Sequence, residues 1–262
     1  MQKYTKANKA LWNKRTSIHL KSEMYNMPAF LKGATSLKSI ELALLGNVKD
    51  KKILHLQCHF GQDTLSLARM GAKVTGLDLS DKAIETAQNL NQELGLDAQF
   101  VCCDILEADQ YITEKFDLVF TTYGTIGWLP SLEKWGQLIA HFLKPKGQLV
   151  FVEFHPVMWT LDDATFTKIE HSYFNIKTFL EIETTTYSDG PSHEPLASYS
   201  WNHPFTEVFQ SLLSSNLQIQ SFQEYDTSPY NCFPNTVAVE GGFQIKGLEK
   251  KLPMVYSIVA SR

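Results

Sequence analysis

The segment that decides the fold runs from residue 53 to residue 80 and reads ILHLQCHFGQDTLSLARMGAKVTGLDLS. It begins as an apolar strand, turns at Gly61, continues as a short helix that Gly71 ends, and closes with a second strand. Asp78 stands at the end of that second strand. This order is typical of nucleotide-binding α/β folds, although dinucleotide-binding loops have three glycines where this loop has one.

The same alternation continues along the chain. Ser80 is a predicted N-cap for the next helix, and apolar strands follow at AQFVCCD, FDLVFTTYG and GQLVFVEFHP, with a helix over SLEKWGQLIAHFLK between the last two. A helical stripe starting at Phe205 precedes two further strands, LQIQSFQEYD and PMVYSIVASR, which a long loop at about 227–252 separates. We therefore predict an α/β, doubly wound, Rossmann-like sheet of seven strands, the last one antiparallel.

Two segments lie outside this alternation. Residues 1–45 mix helix and loop patterns and predict an N-terminal helical cap, while residues 157–201 predict a β insert after strand five. In the insert, YFNIKTFLEIETTTY alternates apolar and polar residues as a half-buried antiparallel strand does, and Leu180 and Ile182 belong to the apolar face that such a strand buries. We expect one domain over 1–262, with 157–201 as a substrate lid.

Composition narrows the class of protein. The 262 residues carry a net charge of −4 and are 44% hydrophobic, which suits a globular protein without the basic surface that nucleic acid requires. No apolar run has the length of a membrane span, and the first residues lack the apolar core of a signal peptide. We therefore expect a cytoplasmic protein that binds neither nucleic acid nor membrane.

Cysteines and histidines give no support for a metal site. Cys58, Cys102, Cys103 and Cys232 form no CxxC pair, so we expect reduced thiols. His55 and His59 are four residues apart, but that spacing brings two side chains together only on a helix, and here it spans a strand and a loop.

The loop after strand one favours a ligand without phosphates. Gln57 and His59 occupy positions where a pyrophosphate needs glycines, whereas a ribose with an amino-acid tail tolerates side chains there. Asp78 can accept hydrogen bonds from ribose hydroxyls, and Asp104, which ends strand three, can accept one from an adenine amine. Both acids are also plausible helix caps. An adenosine without phosphates points to S-adenosylmethionine (SAM).

These residues, with YGTIGWLP, LKPKGQLVFVEFHP and WNHPFTE downstream, resemble the class I SAM-dependent methyltransferases, in particular a bacterial small-molecule subgroup with an LHLQCHFG loop. The resemblance runs from about residue 12 to the C-terminus. It departs from the family pattern where His55 replaces an acid and Gln57 and His59 replace glycines, which leaves the residues that hold the methionine tail open. The predicted cofactor-binding residues are Gln57, Cys58, His59, Gly61, Asp78, Leu79, Asp104, Ile105, Thr122 and Tyr123.

Candidate catalytic residues follow strand five and the insert. Glu153 and His155 are two residues apart and share a strand face, as an acid/base pair or as a structural ion pair. His203 precedes a helix and either caps it or closes the acceptor pocket. Tyr187 and Trp201 of the insert are the predicted substrate-binding residues.

The predicted activity is transfer of the SAM methyl group to a small molecule by in-line displacement, with S-adenosylhomocysteine as product. Such a reaction needs a general base only when the acceptor loses a proton. The alternatives are a catalytically silent SAM-binding module and, with less support because the loop lacks GxGxxG, an NAD-dependent oxidoreductase.

Overall fold

The computed structural model describes residues 3–188 and 190–262. Residues 1, 2 and 189, which belong to the predicted cap and insert, lie outside the described residues. The helices are α1 Lys3–His19, α2 Met27–Leu31, α3 Ser39–Leu45, α4 Gln62–Arg69, α5 Asp81–Glu93, α6 Glu133–Phe142 and α7 Phe205–Ser214. None of these helices combines the length and the apolar character that crossing a bilayer requires.

The strands are β1 Lys52–Leu56, β2 Lys73–Asp78, β3 Gln99–Cys102, β4 Phe116–Thr122, β5 Leu143–Phe154, β6 Phe179–Glu183, β7 Leu196–Ser200, β8 Gln218–Tyr225, β9 Thr236–Val239, β10 Gly242–Ile245 and β11 Val255–Ser261. Seven of them form one sheet in the order β3-β2-β1-β4-β5-β11-β8. β11 runs antiparallel to both of its neighbours, so the predicted antiparallel last strand is confirmed. The long loop before it contains the β9–β10 hairpin, which the sequence did not predict.

Apolar side chains cover both faces of the sheet. Trp135, Phe142 and Leu212, from α6 and α7, belong to the core on one face. Leu45 and Leu67, from α3 and α4, pack on the other face. Because helices cover both faces, polar side chains from several loops meet at the edge formed by the carboxyl ends of the parallel strands.

The N-terminal cap contains a long helix whose buried face is polar. α1 buries Thr5, Asn8, Arg15 and His19, which recur at helical spacing. Apolar residues alone show no clean period there, because the buried face mixes these polar residues with Leu11 and Ile18 and borders the cavity through Thr5, Asn8 and Arg15.

The insert folds as the β6–β7 hairpin, but the predicted burial of its apolar face is wrong. Leu180 and Ile182 are 57% and 64% exposed, and Phe174 and Ile176 before them are exposed as well. The opposite face of β6 borders the cavity through Phe179, Glu181 and Glu183, of which Phe179 and Glu183 are half-buried and Glu181 is exposed.

Candidate active site

A cavity of about 730 Å³ lies over the carboxyl ends of β1 to β5, between the sheet, α1 and the insert. It brings most of the predicted site residues together. Those that line it are Gln57, Cys58, His59, Gly61, Asp78, Leu79, Asp104, Ile105, Thr122, Tyr123, Glu153, Tyr187, Trp201 and His203. His155 is not among its lining residues.

The loop between β1 and α4 keeps the backbone shape of a glycine-rich loop with fewer glycines. Gln57, His59 and Gly61 all have left-handed φ values, at 53°, 51° and 82°. A Cβ at Gly61 would lie 2.8 Å from Phe100 and 2.9 Å from Ala87, so only glycine fits there. The two other positions accept side chains at a cost of about 1–2 kcal/mol each.

Asp78 fixes this loop and faces the cavity. Its Oδ2 accepts a hydrogen bond from the His59 N–H at 2.8 Å, and its Oδ1 accepts one from the Ser80 N–H at 2.8 Å. Burial raises the pKa of Asp78 to about 6, although these hydrogen bonds oppose the shift. Each oxygen retains a second lone pair, which is what two ribose hydroxyls require.

Asp104 lies one strand further along the edge and is held from two sides. Its Oδ1 accepts a hydrogen bond from the Leu106 N–H at 2.9 Å and so caps the short 3₁₀ helix Ile105–Gln110. Its Oδ2 accepts one from the Thr5 hydroxyl at 3.3 Å, which brings α1 over this end of the cavity. The cap role that the sequence left open is therefore present, and the carboxylate still lines the cavity.

At the other end of the cavity lies a group of acids that sequence reasoning missed. Asp63, in the first turn of α4, lines the cavity 3.5 Å from the Thr122 hydroxyl, and burial raises its pKa. The Tyr123 hydroxyl donates to Glu41 Oε2 at 2.8 Å, and burial raises the pKa of that buried carboxyl too. Lys38 Nζ lies 5.0 Å from the Tyr230 ring centre in the same region. A zwitterionic ligand could place its ammonium group near the Asp63 carboxylate and its carboxylate near the Lys38 ammonium group here.

α1 closes the middle of the cavity with an aromatic and basic group. The Trp12 ring lies 5.2 Å from the His59 ring and 5.3 Å from the Trp128 ring, and the Arg15 guanidinium lies 5.1 Å from the Trp12 ring. His19 Nδ1 and His59 Nε2 are 2.9 Å apart, so one of them donates to the other. Burial lowers the pKa of His19 to about 3 and that of His59 as well, so both rings are neutral.

Five buried polar atoms of residues that line this cavity have no hydrogen-bond partner in the part of the chain that the structure describes. They are Arg15 Nε, Gln57 Oε1, His59 Nδ1, Asn202 Oδ1 and the Tyr256 hydroxyl. Leaving such atoms unpaired costs about 1–3 kcal/mol each, so the arrangement fits a polar ligand that completes them.

Glu153 is enclosed by donors. Its carboxylate accepts hydrogen bonds from the Gly124, Thr125 and Ile126 N–H groups, from its neighbour Phe154 N–H and from the Thr125 hydroxyl. Burial raises its pKa while these hydrogen bonds oppose the shift. These contacts fix the loop after β4 and give Glu153 a structural role, but not as the expected ion pair with His155, which contacts Glu224 instead.

His155 and His203 also make structural contacts. His155 Nδ1 accepts from the Val157 N–H at 3.1 Å, so its Nε2 donates to Glu224 Oε1 at 2.9 Å. His203 lies with Nε2 2.8 Å from the Leu129 carbonyl and Nδ1 2.6 Å from Glu207 in the first turn of α7. Burial lowers the pKa of His155 despite Glu224.

The predicted substrate-binding residues connect the insert to the rest of the site. The Tyr187 hydroxyl lies 2.6 Å from the Tyr25 hydroxyl of the cap. Trp201 donates through its ring N–H to the Thr178 hydroxyl at 3.1 Å, and its ring packs edge-on against Tyr4. Tyr187 and Trp201 therefore line the cavity and also connect the insert, which covers it, to the N-terminal cap.

His55 and Cys58 are buried beneath the loop, although both border the cavity. His55 Nδ1 lies 2.8 Å from the Thr64 hydroxyl, and burial lowers the pKa of His55 to about 3. Burial raises the pKa of the Cys58 thiol. Within the described residues, no group of three or more His, Cys, Asp or Glu side chains is arranged to hold a metal ion.

The sheet has the strand order β3-β2-β1-β4-β5-β11-β8, in which the antiparallel strand β11 lies between β5 and β8. This order defines a Rossmann-like methyltransferase fold, with the candidate site at the carboxyl ends of the parallel strands. The predicted fold class is confirmed. Residues 53–147 match the family model described as Methyltransferase domain.

The curated proteins that the chain resembles in sequence include methyltransferases. The chain is 31% identical over 124 residues to a ubiquinone biosynthesis O-methyltransferase of Coxiella burnetii, covering 47% of this chain and 51% of that protein. It is 31% identical over 137 residues to a 23S rRNA (uracil(1939)-C(5))-methyltransferase of Aeromonas salmonicida, covering 51% and 30%. The chain thus spans about half the length, or less, of the curated relatives it matches.

Among solved structures, a SAM-dependent methyltransferase from Mesorhizobium loti aligns with a TM-score of 0.57 at 17% identity. The alignment covers 88% of this chain and all of that one. This likeness supports the fold over nearly the whole chain, including the regions outside the family match.

Proposed function

We propose that the protein is a SAM-dependent methyltransferase that acts on a small molecule. The observation that carries the proposal is the order of three acids along one cavity. Asp104, Asp78 and Asp63 follow the strand ends in the order in which SAM carries its adenine, its ribose and its ammonium group. The finer prediction of a subgroup with an LHLQCHFG loop is part of this proposal.

The adenosine half of SAM fits the β2 and β3 ends. Asp78 has lone pairs left for the ribose hydroxyls after it has accepted from His59 and Ser80. Asp104, held in place by Leu106 and Thr5, presents a carboxylate to the adenine amine. Leu79 and Ile105 supply apolar surface beside these acids.

The methionine half fits the acids near α4 and α3. Asp63 lines the cavity, and burial raises its pKa although Ser36, Lys38 and Thr122 oppose the shift, so a SAM ammonium group beside it would further stabilise its ionised form. Lys38, on the same side of the cavity, supplies a charge for the SAM carboxylate. We assign to these two residues the contacts that the loop cannot make in the usual way, because His55 is buried against Thr64.

Bound SAM would supply an activated methyl carbon with a neutral thioether as the leaving group. The chain's own residues position the reactants and exclude water, which is most of what this reaction requires. Glu153 holds the loop 124–126 beside the cavity, and we propose a positioning role for it. His155 and His203 hold neighbouring segments in the same way.

The size and cover of the cavity favour a small acceptor. We infer that residues 1–45 form a cap and residues 157–201 a lid within one domain. A volume of about 730 Å³ holds SAM together with a small molecule. The net charge of −4 does not favour nucleic acid, and the absence of a nucleic-acid partner stays a prediction, as does the cytoplasmic location.

The same geometry disfavours a dinucleotide. The second phosphate-bearing half of NAD would run past the loop after β1 toward Asp63, whose carboxylate would repel phosphate. A zwitterionic methionine tail has no such conflict.

The test is equilibrium binding by calorimetry with SAM, S-adenosylhomocysteine and NADH, followed by detection of S-adenosylhomocysteine during incubation with acceptor panels. We expect one molecule of SAM to bind per chain and NADH not to bind. Binding of NADH without SAM would refute the proposal. SAM binding without any turnover over broad panels would favour the silent binding module.

A further inference from the structure

The cavity over the strand ends has walls rich in large aromatic side chains. Of the five tryptophans in the chain, Trp12, Trp128, Trp159 and Trp201 line the cavity, and Trp135 is buried in the core. Pockets lined by aromatic side chains together with a few polar groups are typical of sites for small organic ligands. The arrangement of these rings and polar groups therefore carries information about the methyl acceptor.

Four rings form a continuous aromatic wall, which consists of Tyr123, Phe154, Trp159 and Phe233. The Phe154 ring lies 5.5 Å from the Tyr123 ring, 6.0 Å from the Trp159 ring and 5.0 Å from the Phe233 ring. All four residues line the cavity. Phe233 is buried, whereas Phe154 is half-buried and Trp159 is 39% exposed, so Phe154 and Trp159 keep surface for the ring of a ligand.

The aromatic wall lies where a methyl acceptor would approach SAM. Tyr123 follows Thr122, whose hydroxyl lies 3.5 Å from Asp63, the residue proposed to bind the SAM ammonium group. Phe154 is the last residue of β5, and β4 and β5 lie on the opposite side of β1 from β2 and β3. The wall therefore starts at the methionine half of the proposed SAM site and leads away from the adenosine half.

The Asn202 side chain supplies a polar atom without a partner. Asn202 is 2% exposed, and its Nδ2 donates to the Pro156 carbonyl at 3.1 Å and to the Ser172 and Tyr173 carbonyls at 3.3 Å each. Only the nitrogen of the amide can donate to a carbonyl, so these three contacts fix which way the amide points. Its Oδ1 has no hydrogen-bond partner among the described residues, although the side chain belongs to a residue that lines the cavity.

This unpaired oxygen belongs to the same part of the cavity as the aromatic wall. Pro156, which Asn202 holds, lies between Phe154 and Trp159 in the chain and lines the cavity as well. A buried carbonyl oxygen without a partner costs about 1–3 kcal/mol, and an O–H or N–H group of a ligand removes that cost. A carboxylate or an ether oxygen would instead bring lone pairs against lone pairs.

We infer that the methyl acceptor is an aromatic molecule that carries a hydroxyl or amino group. Its ring stacks against Phe154 and Trp159, and its O–H or N–H donates to Asn202 Oδ1. This inference rests on the proposed function and names its substrate class. A saturated ring would lose the ring–ring contacts, and an aromatic ring without a donor would leave Asn202 Oδ1 unpaired.

The test measures binding without turnover, by calorimetry on the protein loaded with S-adenosylhomocysteine. Phenol is compared with fluorobenzene, which lacks the donor, and with cyclohexanol, which lacks the aromatic ring. The corresponding sets based on aniline and on 2-naphthol extend the comparison. We expect at least one aromatic donor to bind about tenfold more tightly than its fluoro analogue and about threefold more tightly than its saturated analogue. The inference is overturned when no aromatic donor shows both preferences.

Substitutions then locate the ring contact. Trp159→Ala should weaken binding of the preferred aromatic compound about tenfold, and Trp159→Phe should restore most of the affinity. Tyr111→Ala removes an exposed aromatic ring outside the cavity and should leave the affinity unchanged. Equal affinity in Trp159→Ala and the wild type would contradict the inference.

The contact with Asn202 is tested in two ways. Asn202→Ala should reduce the preference for the hydroxyl over the fluoro compound, and its affinity for S-adenosylhomocysteine reports whether the fold is intact. Because Asn202 also holds three carbonyls, the fluoro comparison in the wild-type protein tests Oδ1 without any substitution. Failure of the wild type to bind S-adenosylhomocysteine would contradict the proposed function, whereas such binding without a preference for aromatic donors would contradict only this inference.

Discussion

Acidification should weaken SAM binding because burial raises the pKa of two carboxyl groups proposed to bind it, Asp78 and Asp63, and the pKa of Asp78 gives the size of its contribution. Burial raises the pKa of Asp78 from 3.8 to about 6 in the unliganded protein. Ribose hydroxyls donate to the ionised form, so binding stabilises that form and lowers the pKa. The protein must therefore lose the Asp78 proton when SAM binds below pH 6.

The size of the effect follows from the pKa. With a pKa of about 6, Asp78 is about 90% ionised at pH 7 and about 10% ionised at pH 5. The affinity for SAM should therefore fall about tenfold between these pH values. The unliganded protein should show the opposite trend in stability, because a raised carboxyl pKa means that the contribution of Asp78 to the unfolding free energy falls as pH rises from about 4 to about 6.

The assay is titration calorimetry with SAM at pH 7, 6 and 5, repeated at pH 6 in two buffers of different ionisation enthalpy to count released protons. At pH 6 we expect release of about half a proton per site from Asp78. Asp78→Asn should bind more weakly at pH 7 and show a shallower pH dependence. Equal affinity of the wild type at pH 7 and pH 5, or an unchanged pH slope in the variant, would refute the ribose assignment.

Three further substitutions test the remaining contacts. Gly61→Ala should lower the unfolding free energy by about 2–4 kcal/mol in a denaturant titration, because of both φ and the lack of space, whereas Gly95→Ala, at a left-handed position with nothing within 4 Å, should cost only about 1–2 kcal/mol. Equal costs would contradict the close approach. Asp63→Asn should weaken SAM binding about tenfold or more but leave adenosine binding unchanged, and an equal loss for both would place the methionine tail elsewhere. Glu153→Gln should lower the unfolding free energy by about 2–3 kcal/mol through its lost backbone contacts, whereas full stability with abolished turnover would make it a catalytic residue.

The sheet and the ribose end of the site were predictable because they depend on short segments. Most strands of the sheet are apolar runs that a loop ends, and Asp78 is the last residue of its strand, so the parallel order alone brings it to the edge. Gln57 and His59 have positive φ values because the loop keeps the backbone conformation of a glycine-rich loop after its glycines are replaced.

The methionine end and the lid were not predictable because they depend on contacts between distant segments. Lys38 and Glu41 come from a segment without a motif, and Asp63 resembles any acid in the first turn of a helix. The exposed apolar residues of β6 depart from what its alternation predicts, because the hairpin borders a cavity and not the packed core. The sequence shows that two faces differ but not what each one meets.

The missing glycines of the loop have a structural explanation in the cap. His59 places its ring against Trp12 and its Nε2 within 2.9 Å of His19, and Gln57 donates from its side chain to the Thr125 carbonyl at 2.9 Å. A glycine at either position would make neither contact. Phosphates could not approach this loop as closely as a glycine-rich loop. In exchange, the side chains of His59 and Gln57 contact α1 and the loop after β4 and hold both over the cavity. For a ligand without phosphates this exchange costs no binding contact, and it leaves the methionine tail to be held from the side, where Asp63 lies.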